Sequence, residues 1–242
     1  MTVSSSSTNT RRCVAIIPAA GIGSRMALST PKQYAELNGV TVIEHTLKRL
    51  LQTDWIEQIY VGLSADDEWF ASLPVAQHPQ MSTYSGGDER RDTVLNGLEA
   101  MADEVTDDDW VLVHDAARPC LSRDELEALH EAMNHADEGM LLASKVVDTV
   151  KRADATHKVL KTVPREGLYR ALTPQVFPYG MLSKALREAE QAKITDEASA
   201  VEQLGFHPLL IEGKQTNIKI THPEDLALAE LYLNYLKEEG QL

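Results

Sequence analysis

Cys13-Val14-Ala15-Ile16-Ile17-Pro18-Ala19-Ala20-Gly21-Ile22-Gly23-Ser24-Arg25-Met26 decides how the rest of the chain is read. A run rich in Val and Ile passes directly into small residues and two glycines. The run has strand length, and its unbroken apolar character marks a strand covered on both faces, as in a parallel sheet. Glycines placed straight after it permit a tight turn whose backbone N–H groups stand at close range, the usual device for cradling phosphate. Gln58–Leu63 and residues 110–114 repeat the strand pattern, while Val42–Leu51 and residues 93–101 carry helix-like apolar spacing. Ser122-Arg123-Asp124-Glu125 is a capping box, with Leu126, Leu129 and Met133 following on one helical face. Thr221-His222-Pro223-Glu224 is expected to open the last helix in the same way. Strand and helix alternating at this spacing predict a doubly wound, largely parallel α/β sheet, in one domain over residues 13–242.

Residues 147–165 break the rhythm. Thr149-Val150-Lys151-Arg152, a polar turn, and Val159-Leu160-Lys161-Thr162-Val163 read as a β-hairpin inserted after a strand at 140–146, polar on both sides. A lone hairpin is marginal in water, so this arm is expected to pack on something, such as a second copy of the chain. The expected architecture is thus α/β: a Rossmann-like, doubly wound, largely parallel sheet with an inserted β-hairpin arm. Residues 1–12 are set apart as a disordered tail, because the first ten include seven Ser/Thr and no apolar core. That stretch lacks the apolar region of a secretory signal. Its acid-free composition ending in Arg11-Arg12 faintly resembles a transit peptide but is short, and the cytoplasm is the expected location.

Charge narrows the partners. The 242 residues carry 23 Lys+Arg against 37 Asp+Glu, a formal −14, which argues against a dedicated nucleic-acid binder. The longest apolar runs fall far short of the roughly 18 residues of a spanning helix, so no membrane role is expected. Cys13 and Cys120 make neither a disulfide framework nor a metal knuckle. Residues 11–50 hold six basic and two acidic side chains, 51–148 hold five and twenty-two, and 149–170 hold six and two. An acidic chain with two basic islands suits small anions gathered at those islands, since local donors and field decide binding.

The glycine turn fits neither standard nucleotide motif. A dinucleotide fingerprint needs glycine where Met26 stands, and Glu44, at the spacing of its ribose partner, sits inside a helical pattern. A Walker A loop needs Gly-Lys-Ser/Thr, which is absent. A plain strand-to-helix turn would explain the glycines alone, and a solvated surface would explain Lys32 alone. Arg25 and Pro31-Lys32-Gln33 close behind an anion-binding turn, however, suit a polyphosphate whose charge must be neutralised during reaction. Gly86-Gly87-Asp88-Glu89-Arg90-Arg91-Asp92-Thr93-Val94 joins a strand to a helix, where Asp88 is also readable as an N-cap and Thr93 as a surface hydroxyl. Val113-His114-Asp115-Ala116-Ala117-Arg118-Pro119 ends a central-type strand, where open α/β sheets place ligands. A carboxylate such as Asp115 there contacts a ribose hydroxyl or a phosphate-bound metal.

The run from Pro18 to Gln33 resembles the signature loop of the sugar-phosphate nucleotidyltransferases. Together with Val163-Pro164-Arg165-Glu166-Gly167-Leu168, Ala171-Leu172-Thr173-Pro174-Gln175, Ile194-Thr195-Asp196-Glu197-Ala198 and Asn217-Ile218-Lys219-Ile220-Thr221, the chain resembles the 2-C-methyl-D-erythritol 4-phosphate cytidylyltransferases of the non-mevalonate isoprenoid pathway over about residues 13–233. The resemblance implies transfer of CMP from CTP to that sugar-alcohol phosphate. It implies that Ala19, Ala20, Gly21, Gly23 and Ser24 hold the CTP phosphates, with Arg25 and Lys32 stabilising the transition state. Gly87, Asp88 and Thr93 match positions around the cytosine and ribose, Thr93 replacing a frequent Ser. Asp115 and Arg118 line the junction of the two substrates. Thr149, Arg165, Thr173 and Thr195 match the methylerythritol-phosphate pocket, with Pro164 replacing an often acidic neighbour, and Lys219 matches the lysine that positions the attacking phosphate. The resemblance further implies Mg²⁺, mainly on the CTP phosphates with Asp115 as a candidate ligand, and a homodimer through the arm. Because the attacking phosphate is already ionised, no catalytic histidine is expected. The rival readings are a ribitol-5-phosphate (pentitol-phosphate) cytidylyltransferase and a non-catalytic nucleotide-binding protein. The second would be expected to lose Arg25 or Lys32.

Overall fold

In the computed structural model, which describes residues 11–21 and 30–242, the apolar run Cys13–Pro18 forms strand β1. The chain continues through β2 (Glu36–Leu37), β3 (Val40–Thr41), α1 (Val42–Leu51), β4 (Gln58–Leu63), β5 (Met81–Ser85), α2 (Arg90–Ala100) and β6 (Trp110–Val113). Then come α3 (Arg123–Ala132), β7 (Met140–Lys145), β8 (Val150–Ala153), β9 (Val159–Val163) and β10 (Tyr169–Pro178). Helices α4 (Tyr179–Glu188) and α5 (Glu197–Gln203), strand β11 (Leu209–Glu212) and helix α6 (Glu224–Glu238) complete it.

Seven strands form one sheet in the order β11-β7-β10-β6-β1-β4-β5. The pairs β1–β4, β1–β6, β4–β5 and β7–β11 are parallel, whereas β10 runs antiparallel to both β6 and β7. The expected α/β sheet is therefore present, with one antiparallel strand inside it. Side chains of β1 alternate between two cores. Cys13, Ala15 and Ile17 pack with Ile43, Leu47 and Leu50 of α1, while Val14 and Ile16 face Val94 and Leu98 of α2 and Leu182 and Leu186 of α4. Burying each such aliphatic side chain stabilises by about 1.5–3 kcal/mol, so helices on both faces hold β1 at the centre. From β1 the chain moves outward through β4 to β5, then returns to β6 on the other side of β1. This reversal leaves a crevice beyond the C-terminal ends of β1 and β6, where doubly wound sheets bind ligands.

Local signals hold with three adjustments. Ser122 and Glu125 form the predicted capping box of α3, and Thr41 and Glu44 form another on α1. Helix α6 does not open on a capping box: the Asp225 carboxylate accepts from the backbone N–H groups of Thr221 and His222 instead. Helix α2 begins at Arg90, three residues before the expected 93–101, which brings Arg90 to the crevice. Arg12, counted with the tail, belongs to the domain: its N–H donates to Asp109 Oδ1 at 2.9 Å and its guanidinium pairs with Glu57. The arm is the separate two-stranded sheet of β8 and β9, with Val150 opposite Val163. Val147, Val159 and Leu160 there are more than 60% exposed, so the arm has no core among the described residues.

Candidate active site

A cavity of about 330 Å³ opens at the crevice between β1 and β6. Ala19, Ala20 and Gly21 form one wall, Gly87, Asp88 and Thr93 another, and Lys32, Arg90, Asp115 and Lys219 bring charge to it. Gly23, Ser24 and Arg25 lie outside the described residues. The turn after β1 is tied down by Gln33, buried beneath it, whose Nε2 donates to the carbonyls of Ala19 at 2.8 Å and Gly21 at 3.3 Å. Opposite, the N–H of Gly87 donates to Thr93 Oγ1 at 3.0 Å. Thr93 is therefore a buried clamp rather than a surface hydroxyl, and Asp88 does not cap α2, whose N-cap is Glu89. A Cβ at position 86 would stand 2.4 Å from Ala20 Cβ, so glycine there lets the two loops close on each other.

Asp115 is the electrostatic centre. Its Oδ1 accepts from Arg90 Nε at 3.0 Å, and its Oδ2 is shared by Lys219 Nζ at 2.9 Å and Arg118 Nε at 3.3 Å. Burial alone would raise this carboxyl, but Arg90, Lys219 and Arg118 outweigh it and hold it well below the usual carboxylate range. Arg118 is anchored by the carbonyl of Asn217 at 2.7 Å. Lys32 Nζ donates to the carbonyl of Ile220 at 3.0 Å, beside Lys219. Lys32, Arg90 and Lys219 equal Asp88, Glu89 and Asp115 in number on this wall, so it escapes the acidic balance of the whole chain and offers cations to a polyanion.

Behind Asp115 a buried chain of hydrogen bonds fixes the strand end. The N–H of Asp115 donates to Thr173 Oγ1 at 3.1 Å, Thr173 Oγ1 meets His114 Nδ1 at 2.9 Å, and His114 Nε2 meets the carbonyl of Arg118 at 3.1 Å. A carbonyl only accepts, so these partners assign the His114 proton to Nε2, and Nδ1 accepts from the Thr173 hydroxyl. Burial lowers the His114 pKa to about 4, so the ring is neutral and serves as a brace.

The expected site residues thus fall into two groups. Ala19, Ala20, Gly21, Lys32, Gly87, Asp88, Thr93, Asp115 and Lys219 line one cavity, with Arg118 and Thr173 directly behind Asp115. Thr149, Arg165 and Thr195 are exposed and lie outside this wall, and Arg165 Nη1 is bonded to the carbonyl of Val147 within the arm. Gln33, Arg90, Asn217 and Glu197 carried no role in the sequence reading. All four lie inside motifs named above, but only their distant partners disclose what they do.

No cluster of three or more His, Cys, Asp or Glu suited to a metal occurs among the described residues. The donor set fits an ion that arrives on phosphates: Mg²⁺ is commonly held by one or two carboxylates plus substrate oxygens, and Asp115 is an ionised carboxylate on the cavity wall.

The chain is 47% identical over 227 residues to the 2-C-methyl-D-erythritol 4-phosphate cytidylyltransferase of Vibrio vulnificus strain YJ016, covering 93% of this chain and 96% of that one. It is 49% identical over 222 residues to the Escherichia coli K12 protein of the same name, covering 90% and 92%. A crystal structure of 4-diphosphocytidyl-2C-methyl-D-erythritol synthase superposes with a TM-score of 0.81 at 39% identity, covering 92% of this chain and 99% of that chain. The Francisella tularensis 2-C-methyl-D-erythritol 4-phosphate cytidylyltransferase gives 0.80 at 37% identity, covering 91% and 99%. With residues 13–235 matching the family as a whole, the chain belongs to the 2-C-methyl-D-erythritol 4-phosphate cytidylyltransferase family.

Proposed function

We propose that this cavity transfers the cytidylyl group of CTP to 2-C-methyl-D-erythritol 4-phosphate, giving 4-(cytidine 5'-diphospho)-2-C-methyl-D-erythritol and pyrophosphate. The observation that carries the reading is the convergence of Lys32, Arg90 and Lys219 with Asp115 at the sheet reversal, in a chain of this family. A phosphate oxygen of the sugar alcohol attacks the α-phosphorus of CTP. A new P–O bond forms, the bond to the bridging oxygen breaks, and pyrophosphate leaves with that electron pair. The nucleophile is ionised near neutral pH, so the protein aligns two polyanions and neutralises charge rather than removing a proton.

In this reading Ala19, Ala20 and Gly21, continued by Gly23 and Ser24, hold the triphosphate, and Arg25 and Lys32 stabilise the transition state. Gly87, Asp88 and Thr93 take the nucleoside. Lys219 positions the attacking phosphate, and Asp115, Arg118, Thr173 and Thr195 shape the sugar-alcohol side. Asp115 would hold Mg²⁺ together with the CTP phosphates, and the ion, when bound, neutralises charge on the leaving pyrophosphate. Thr149 and Arg165 act from the partner subunit of a homodimer joined through the arm, which accounts for its exposed Val147, Val159 and Leu160. No helix among the described residues is long and apolar enough to cross a membrane, and we place the enzyme in the cytoplasm. The test is pyrophosphate release with CTP and Mg²⁺, comparing methylerythritol phosphate with ribitol 5-phosphate. A clear preference for methylerythritol phosphate is expected. Preference for ribitol 5-phosphate would overturn the substrate assignment, and no release with either would restore the binding-protein reading.

A further inference from the structure

Glu197, the first residue of α5, is a carboxylate only 1% exposed whose two oxygens accept from Arg90 Nη1 at 2.5 Å and Arg90 Nη2 at 3.0 Å. The third nitrogen of the same guanidinium, Nε, donates to Asp115. A buried ion pair is weak evidence for stability, because desolvation offsets much of the attraction. This one runs straight into the cavity wall.

We propose that Glu197 is a positioning residue: it locks Arg90 as the standing counter-charge of Asp115, so that Lys219 can leave Asp115 for the incoming phosphate. The inference rests on the cytidylyl-transfer reading. Lys219 and Arg118 share Oδ2 of Asp115, and a phosphate that recruits Lys219 must break the 2.9 Å pair it makes there. A buried carboxylate stripped of a donor is costly unless others remain. Arg118 remains because the carbonyl of Asn217 holds it. Arg90 remains because the fork onto Glu197 fixes a side chain that otherwise has several free torsions, at the edge of a cavity attractive to phosphate. Glu197 is itself placed from the sheet: Gln175 of β10 accepts from the N–H of Ala198 at 2.9 Å and donates to Asp196 at 2.9 Å. Strand β10 thus sets α5, α5 sets Glu197, and Glu197 sets Arg90 against Asp115.

The test compares Glu197→Gln, Arg90→Lys and the double variant by steady-state pyrophosphate release, with wild type as control and thermal melting in parallel. For Glu197→Gln, kcat/KM for methylerythritol phosphate should fall about 10- to 100-fold, as for other small misplacements of catalytic groups. KM for CTP and the melting temperature should change little, and the double variant should be no worse than the weaker single one, since both cut the same link. If Glu197→Gln does not fold, Arg90→Lys carries the same expectation, because it keeps the charge and loses the fork. Wild-type-like kinetics for Glu197→Gln would overturn the proposal. So would a loss spread equally over both substrates that tracks a falling melting temperature, or additive losses in the double variant. A wild-type protein releasing no pyrophosphate would instead strike the cytidylyl-transfer reading, and this inference with it.

Discussion

The crevice at β1 and β6 and the β8–β9 arm are both assigned to the same reaction, yet they are built in opposite ways. Asp115 is buried and fully paired, with Arg118, Thr173 and His114 buried around it and Arg90 and Lys219 half-buried at its cavity side. On the arm, Thr149 and Arg165 are exposed and Val147, Val159 and Leu160 stand in solvent. The crevice inherits its rigidity from strands packed on both faces. The arm has only its own hairpin ladder, so under the proposed function it holds a substrate group in one place by borrowing a surface. A pocket wall that needs a borrowed surface is complete only where that surface is supplied.

The contrast is broken most sharply at Lys32. Its ammonium sits in the wired half, and Lys32→Ala is expected to lower kcat by about 10²–10³, comparable to removing one transition-state donor. Near wild-type turnover would mean that the wiring around Asp115 does not serve the reaction.

The rigidity itself has a pH signature. The His114 pKa is lowered to about 4 in the fold from an ordinary 6.5, so the unfolded chain takes up this proton first as pH falls. The stability from neutral, buried His114 is fully present above about 6.5 and is lost as pH falls toward 4. The loss should approach about 3 kcal/mol at the low end. Urea denaturation at pH 7 and pH 5 measures it, and His114→Gln should flatten that dependence. An unchanged slope would show that the brace behind Asp115 does not titrate.

The arm responds differently. Arg165→Ala should lower kcat/KM for methylerythritol phosphate by about tenfold, as loss of a charged contact does, without altering KM for CTP. Mixing Lys32→Ala and Arg165→Ala chains through a denature–refold cycle should restore about a quarter of wild-type activity, because half of the dimers then carry one intact site. No recovery would place Arg165 in its own chain's site and remove the contrast.

The smallest effect is expected at the nucleoside wall. Thr93→Val deletes the acceptor of the Gly87 N–H at 3.0 Å. It should cost about 1 kcal/mol of stability and raise KM for CTP a few-fold, whereas Thr93→Ser should stay close to wild type.

How much of this was legible follows from the range of each signal. The strand Cys13–Pro18 and the Ser122–Glu125 capping box are local signals, and each stands where the sequence places it. The Thr221 cap misled because Asp225 takes the Thr221 N–H that Glu224 would have accepted, together with that of His222, and the helix starts only at Glu224. Strand β10 escaped because Arg170, Thr173, Pro174 and Gln175 interrupt its apolar pattern, and antiparallel direction inside a parallel sheet leaves no mark in the sequence. Arg90 and Glu197 are 107 residues apart, and neither has a spacing that betrays the other.

By itself, then, the sequence determined that an apolar strand ends in glycine-rich sequence, that cations follow it, and that a coreless hairpin interrupts the α/β alternation. Those are consequences of periodicity, glycine freedom and capping chemistry, all of which act over a few residues. Only the tertiary structure decided that Arg90, Arg118 and Lys219 meet on one carboxylate, that Gln33 pins the glycine turn, and that Glu197 reaches the cavity through Arg90. Strand order brings those partners together, and strand order is a property of how both faces of the sheet are buried, not of any one segment.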